Sequence, residues 1–132
     1  MAKARKVSLL SFTLPDKVGQ LAAAAAHLAE AGVSINALQA VPAGANAHFL
    51  LAVKNPAKAR KALAPLAADF KEQAAICVEM PNKAGRLQKV AAKLAEAGVD
   101  VRGTWATAFT GKTASCVLLT SDDEKALALL KK

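Results

Sequence analysis

Residues 14–35 read LPDKVGQLAAAAAHLAEAGVSI, and residues 80–101 read MPNKAGRLQKVAAKLAEAGVDV. At an offset of 66 residues, as from Pro15 to Pro81, they align through Lys17/Lys83, Gly19/Gly85, Leu21/Leu87, Leu28/Leu94 and the block 29–33/95–99. A repeat of this length decides the architecture before any local pattern is weighed. Each copy holds a β-like run ending in a Pro-Asp/Asn-Lys turn, a helix opening near a glycine, and a second β-like run behind another glycine. Asp16 and Asn82 are N-cap types that accept hydrogen bonds from the first free helix N–H groups. The spacing of Val18, Leu21, Ala25, Leu28 and of Ala84, Leu87, Ala91, Leu94 predicts one apolar stripe per helix, laid on a sheet. Lys17, Gln20, His27 and Lys83, Arg86, Lys93 fall on the outer side. Gly32 and Gly98 stand where a left-handed C-terminal residue is wanted. Gly19 and Gly85 lie where Ala would favour a helix by about 1 kcal/mol. A glycine kept there in both copies points either to the close approach of a backbone or ligand, or to tight helix–strand packing.

Outward from the repeat, strands are expected over 7–14, 33–41, 48–54, 73–80, 99–108 and 113–120, and helices over 17–31, 56–64 and 83–97. A last helix is capped by Ser121-Asp122-Asp123. Alternation places Leu10, Phe12, Leu14 and Ile76, Val78, Met80 on the helix-covered face, with Phe49, Leu51 and Val53 beside the first set. Pro42–Asn46 and Thr110-Gly111-Lys112 have hairpin-loop chemistry, and Asn55-Pro56 opens a helix that Pro65 ends. Residues 1–6 read as a frayed basic lead-in. The chain divides into 1–70 and 71–132, each βαββα. A closing strand is short in the first copy, about 69–73, where it runs straight into the next strand, and missing from the second; the first strand of the second copy, or a partner chain, is expected to take its place.

In 132 residues, apolar types make up 54% and aromatic types 4%, a globular rather than disordered composition. No apolar run approaches the ~20 residues of a membrane span, and the N-terminus has no apolar signal core. Cys77 and Cys116 fall inside strands without metal-ligand spacing, so they read as reduced, partly buried hydrophobes and the location as cytoplasmic. The formal charge of +8 is spread over the lead-in, Lys54–Lys61 and Lys83–Lys93. That is a solvated basic face, able to attract small anions.

A strand ending in Pro-Asp/Asn-x-x-Gly-x-Leu, followed by a helix carrying Leu-Ala-Glu-Ala-Gly-Val into another strand, resembles the ACT domain. The resemblance covers nearly the whole chain as a tandem pair. It is most similar to stand-alone tandem ACT proteins, with no catalytic or DNA-binding domain attached. It implies an α+β fold: two ferredoxin-like βαββα(β) repeats packed side by side with a shared or continuous antiparallel sheet. It also implies a regulatory, amino-acid-binding module, a homodimer and a metabolic enzyme as partner, with no cofactor, metal, nucleic acid, membrane or catalytic residue. Ligands of the family sit at a seam between modules, on the turn after the first strand and the start of the second strand. The positions matching that pattern are Asp16, Lys17, Val18, Gly19, Ser34 and Asn36 in the first copy, and Asn82, Lys83, Ala84, Gly85, Asp100 and Arg102 in the second. Helix-start N–H groups suit a carboxylate, and Asp16 or Asp100 suits an ammonium group. The residue before the key glycine, often Pro in the family, is Val18 or Ala84; the polar residue opening the second strand, commonly Asn, is Ser34 or Asp100.

Other readings are weaker. An RNA-recognition module needs exposed aromatic residues on central strands, whereas parity puts Phe12 and Phe49 under the helices, with Val78 and Ser115 as second-copy counterparts. An acylphosphatase-like enzyme needs an Arg in an anion-cradling loop and an Asn to orient water; Arg86 and Asn82 are neighbours, but nothing in the first copy matches. Ser8, Ser11 and Ser115 lack a nucleophile-elbow context, no Gly-rich phosphate loop is present, and His27 and His48 lack acidic or histidine partners. Trp105, where the first copy has Gln39, reads as packing or as an aromatic wall to a site. A ligand-free dimerisation or adaptor module, with the same turns forming the seam, is the remaining alternative.

Overall fold

The computed structural model describes residues 3–108 and 111–131. The elements are β1 (Lys3–Pro15), α1 (Gln20–Glu30), β2 (Ala37–Ala43), β3 (Asn46–Ala52), α2 (Pro56–Leu63), β4 (Lys71–Pro81), α3 (Arg86–Glu96), β5 (Val101–Thr107), β6 (Thr113–Thr120) and α4 (Asp123–Leu130). The class is α+β, as expected, and β1–β3, β2–β3, β4–β6 and β5–β6 all pair antiparallel. Of the expected second hairpin loop, Thr110 lies outside the described residues, as do Met1, Ala2 and the last residue of the chain.

The chain forms two compact units, Ser8–Gln73 and Ala74–Lys132 with Met1–Val7. In the first unit the strand order is β2-β3-β1, and the opening residues of β4 lie on the other side of β1. In the second it is β5-β6-β4, and residues 3–7 of β1 lie beside β4. From Lys3 on, the expected frayed lead-in is a strand: β1 starts there and supplies the closing strand that the second copy lacks. Ala4 packs against the second core, Arg5 approaches Glu79 at 3.6 Å, and Lys6 pairs with Glu124. These exposed ion pairs are worth little. Strand pairing and the packing of Ala4 hold the segment.

Strand alternation fills both cores as the pattern predicts. Leu10, Phe12 and Leu14 of β1 meet Phe49, Leu51 and Val53, with Ala24 and Leu28 of α1 and Ala59 and Leu63 of α2 above them. Ile76, Val78 and Met80 of β4 meet Cys116 and Leu118, covered by Val90, Leu94, Ala126 and Leu130. The pairing Phe12↔Phe49 corresponds to Val78↔Cys116. The hairpin of the second copy is therefore one residue longer, and the counterpart of Phe49 is Cys116, not Ser115.

The helix stripes differ from those expected: Ala24 and Val90 are buried in place of Ala25 and Ala91, and Ala91 is exposed. Both helices begin three residues late, at Gln20 and Arg86, because Gly19 and Gly85 are the N-cap residues with φ of 92° and 88°. Val18 is therefore not helical at all, and the buried positions are Ala24 and Leu28 in α1 and Val90 and Leu94 in α3, one turn apart. Leu21 and Leu87 stay about half exposed, at 55% and 49%. At the other end each helix closes as expected. Gly32 and Gly98 donate to Ala29 and Ala95, and Val33 and Val99 donate back to Leu28 and Leu94, a Schellman arrangement that seats each valine on its core. The Asn55 and Asp122 side chains accept from the backbone N–H of Lys58 and Lys125, which caps α2 and α4.

One polar contact seals the first sheet where β4 has not yet begun. The Asp69 carboxylate accepts from the Thr13 backbone N–H at 3.1 Å and from the Thr13 hydroxyl at 2.5 Å. Those two donations hold the Asp69 pKa below its ordinary 3.8. A carboxyl with a lowered folded pKa stabilises the fold above its unfolded pKa, and that stability drains away as pH falls through the folded value. Wild-type stability should thus show an extra acid-side loss below pH 3.8. Asp69→Asn should remove it, at a cost of no more than about 1 kcal/mol at neutral pH for so exposed a group. Urea titrations of both proteins from pH 6 to pH 2.5 check this; parallel pH profiles would refute it.

Candidate functional site

The turn from β1 to α1, and its counterpart from β4 to α3, is built from a strand end, a backbone tie and a left-handed glycine. The Asp16 N–H donates to Ala45 at 3.0 Å and the Asn82 N–H to Lys112 at 2.8 Å, so each turn is laced to the hairpin of its own unit. Asn82 adds a second tie, its Nδ2 donating to the Gly111 carbonyl at 2.8 Å. A carboxylate has no proton to donate there, so the Asp16/Asn82 difference changes how the turn is held. Neither side chain caps its helix; the expected cap role passes to Gly19 and Gly85, which make no side-chain cap bond. A Cβ added at either glycine would meet nothing within 4 Å. Backbone φ, not close approach within the chain, is what requires glycine here. The first helical bonds are Ala23 N–H to Gly19 and Lys89 N–H to Gly85. At the start of α3 the Arg86 N–H turns back to the Lys83 carbonyl at 3.3 Å, and the remaining first-turn N–H groups have no partner inside the helix.

In the second unit this turn walls a cavity of about 230 Å³. Met80 and Cys116 line it together with Asn82 and Lys83 of the turn, Arg86 and Leu87 of α3, and Thr107 at the end of β5. Cys116 is buried, its Sγ 3.3 Å from the Thr104 hydroxyl, and burial pushes its thiol pKa up. It is a neutral wall atom, unsuited to be a nucleophile. Trp105 pairs with Val117 on β6 and does not line the cavity. Among the described residues no group of three His, Cys, Asp or Glu side chains is placed to hold a metal ion. His48 contacts the Ser11 hydroxyl at 3.4 Å. Phe12 and Phe49 stack on each other at 5.1 Å inside the first core and offer no surface to a base.

All twelve residues singled out from the sequence are exposed, but within a unit they fall into two groups. Asp16, Lys17, Val18 and Gly19 sit beside the turn preceding β3, whereas Asn36 donates to Ala52 at its far end. Asn82, Lys83, Ala84 and Gly85 sit beside the start of β6; Asp100 exchanges bonds with Ser121 beyond its end. Strand rise separates the groups by about 20 Å. Ser34, Asn36 and Asp100, expected inside strands, lie in the connections before Ala37 and Val101, because the Schellman turn must first seat Val33 and Val99. Arg102 does lie on β5, at the irregularity between Val101 and Gly103. Cys116 and Thr107 were missed, the first through the one-residue offset of the longer hairpin. Arg86 was legible as an outer-face residue and, beside Asn82, as a possible anion-cradling Arg. Its place at the rim follows from the late helix start.

No family model matches the sequence, and no curated protein matches it. Solved structures do. A protein from Bacteroides thetaiotaomicron is 28% identical, with a TM-score of 0.85 over 97% of this chain and 88% of that one. The ligand-free regulatory subunit of aspartate kinase from Thermus thermophilus is 17% identical, with a TM-score of 0.71 over 98% and 93%. Aspartokinase III from Escherichia coli, solved with lysine and aspartate, is 15% identical, with a TM-score of 0.60; this chain covers only 31% of it. The fold is therefore ACT-like, that of aspartate kinase regulatory domains. Among the described residues, no helix is long and apolar enough to cross a membrane.

Proposed function

We propose that the chain is a regulatory module of two ACT-type repeats that binds an amino acid or a related small carboxylate and passes its presence to a metabolic enzyme. The observation that carries this reading is the cavity at the helix-opening turn of the second unit, where Lys83 and Arg86 stand beside the apolar side chains of Met80, Leu87 and Cys116. The shared fold with aspartate kinase regulatory subunits supports a regulatory role over a catalytic one. On this reading the residues of the two turns hold the ligand. Ser34, Asn36, Asp100 and Arg102, distant within a unit, complete a site across a seam in a homodimer in the cytoplasm.

A second reading is favoured by one observation: Val18 is fully exposed, and Leu21 and Leu87 remain half exposed beside the same turns. Apolar side chains kept in water at a turn suit a protein-facing surface, as a ligand-free adaptor would need. A thermal-shift screen of the twenty amino acids separates the two. A binder should raise the melting temperature by several degrees, since a ligand at 100 times its dissociation constant adds about 2.7 kcal/mol. A flat screen of the amino acids and of succinate, including at millimolar ligand, refutes the sensor reading and leaves the adaptor.

A further inference from the structure

We infer that the cavity beside α3 takes a small dicarboxylate and does not read an ammonium group. The inference deepens the reading above and rests on it. Lys83 and Arg86 stand three residues apart at the rim, and neither has a carboxylate within ion-pair distance among the described residues. Among the described residues no Asp or Glu lines the cavity. Glu79 lines the neighbouring depression with Met80 and Pro81, and Arg5 lies 3.6 Å from its carboxylate. Asp100 is at the other end of β5, bonded through its backbone to Ser121. A positive ammonium entering here finds two like charges and no anion. Five backbone carbonyls around the rim already accept a bond each: Pro81 from Lys83, Lys83 from Arg86, Ala108 from Gly111, Gly111 from the Asn82 amide and Lys112 from the Asn82 N–H.

The donors, in contrast, are in surplus. The Arg86 guanidinium can grip one carboxylate in a two-pronged bond and Lys83 the other as a point charge. Met80, Leu87 and Cys116 supply an apolar wall for a short carbon chain, which an inorganic anion would not use. A volume of about 230 Å³ holds a skeleton of the size of succinate or aspartate.

Calorimetric titration of the full chain with succinate, L-aspartate, L-leucine and L-lysine tests this. Succinate and L-aspartate should bind within threefold of each other, and L-lysine at least tenfold more weakly. Arg86→Gln and Lys83→Gln should each weaken succinate by tenfold or more while leaving the unliganded melting temperature in place; Lys58→Gln on α2 should change nothing. Binding of L-aspartate without succinate, or tighter binding of L-lysine or L-leucine, overturns the inference and leaves the amino-acid sensor standing. Silence of all four ligands and of the full amino-acid screen overturns both. Succinate binding undiminished by Arg86→Gln and Lys83→Gln overturns the assignment to this cavity.

Discussion

Phe12→Ala should cost the first unit about 3–5 kcal/mol, the range for deleting a fully buried aromatic side chain. Phe12 is 1% exposed and stacks on Phe49 at 5.1 Å with an interplanar angle of 10°. Phe70 packs against it at 5.5 Å, and Arg60 in turn lies 5.7 Å over the Phe70 ring. Truncation therefore removes the middle ring of three and leaves a cavity between two sheet strands whose backbones are held by the ladder and cannot collapse inward. The equivalent change in the second unit, Val78→Ala, deletes less volume against Cys116 and should cost about half as much or less. Amide exchange along residues 49–51 and along residues 116–118 separates the two effects unit by unit. Equal losses for the two substitutions would refute the claim that the larger deleted side chain sets the larger cost.

That asymmetry was visible in the sequence, since residue parity alone placed Phe12 and Phe49 on one face. Alternation is a local signal, and the strands that carry it at Leu10–Leu14 and Ile76–Met80 obey it. The start of β1 was not visible, for a physical reason. Lys3, Arg5 and Lys6 carry no apolar alternation beyond Ala4, and what orders them is pairing with β4, more than sixty residues away. The helix starts misled in a different way. Asp16 and Asn82 are good cap types, but their backbones are tied to the hairpin, and a left-handed glycine three residues on sets where the helix begins.

The candidate site was legible in half. Asn82 and Lys83 could be found because the repeat marks them and the turn chemistry is local. Cys116 could not, because its place depends on a hairpin one residue longer than its counterpart, and a fixed offset of 66 hides that step. Arg86 reached the rim only because α3 starts late, which no propensity scale reports. Each of these misses is a tertiary decision overriding a sound local one.

Removing Met1–Val7 should destabilise the second unit by about 2–4 kcal/mol and leave the core of the first in place. Residues 3–7 are the fourth strand of that unit, and their loss strips β4 of its neighbour on one side, exposing backbone N–H and C=O groups along it and the surface now covered by Ala4. Net hydrogen-bond contributions of about 1 kcal/mol each, offset in part by the freedom that five residues regain, set that size. Trp105 is the single tryptophan and lies on β5 of this unit, so its fluorescence follows the second unit alone in urea. The double substitution Arg5→Gln, Lys6→Gln keeps the strand and removes only two exposed ion pairs, and should cost under about 1 kcal/mol. If the double substitution matched the deletion, charge and not strand pairing would hold the segment; if the deletion left the Trp105 transition unmoved, the second unit would be complete without it.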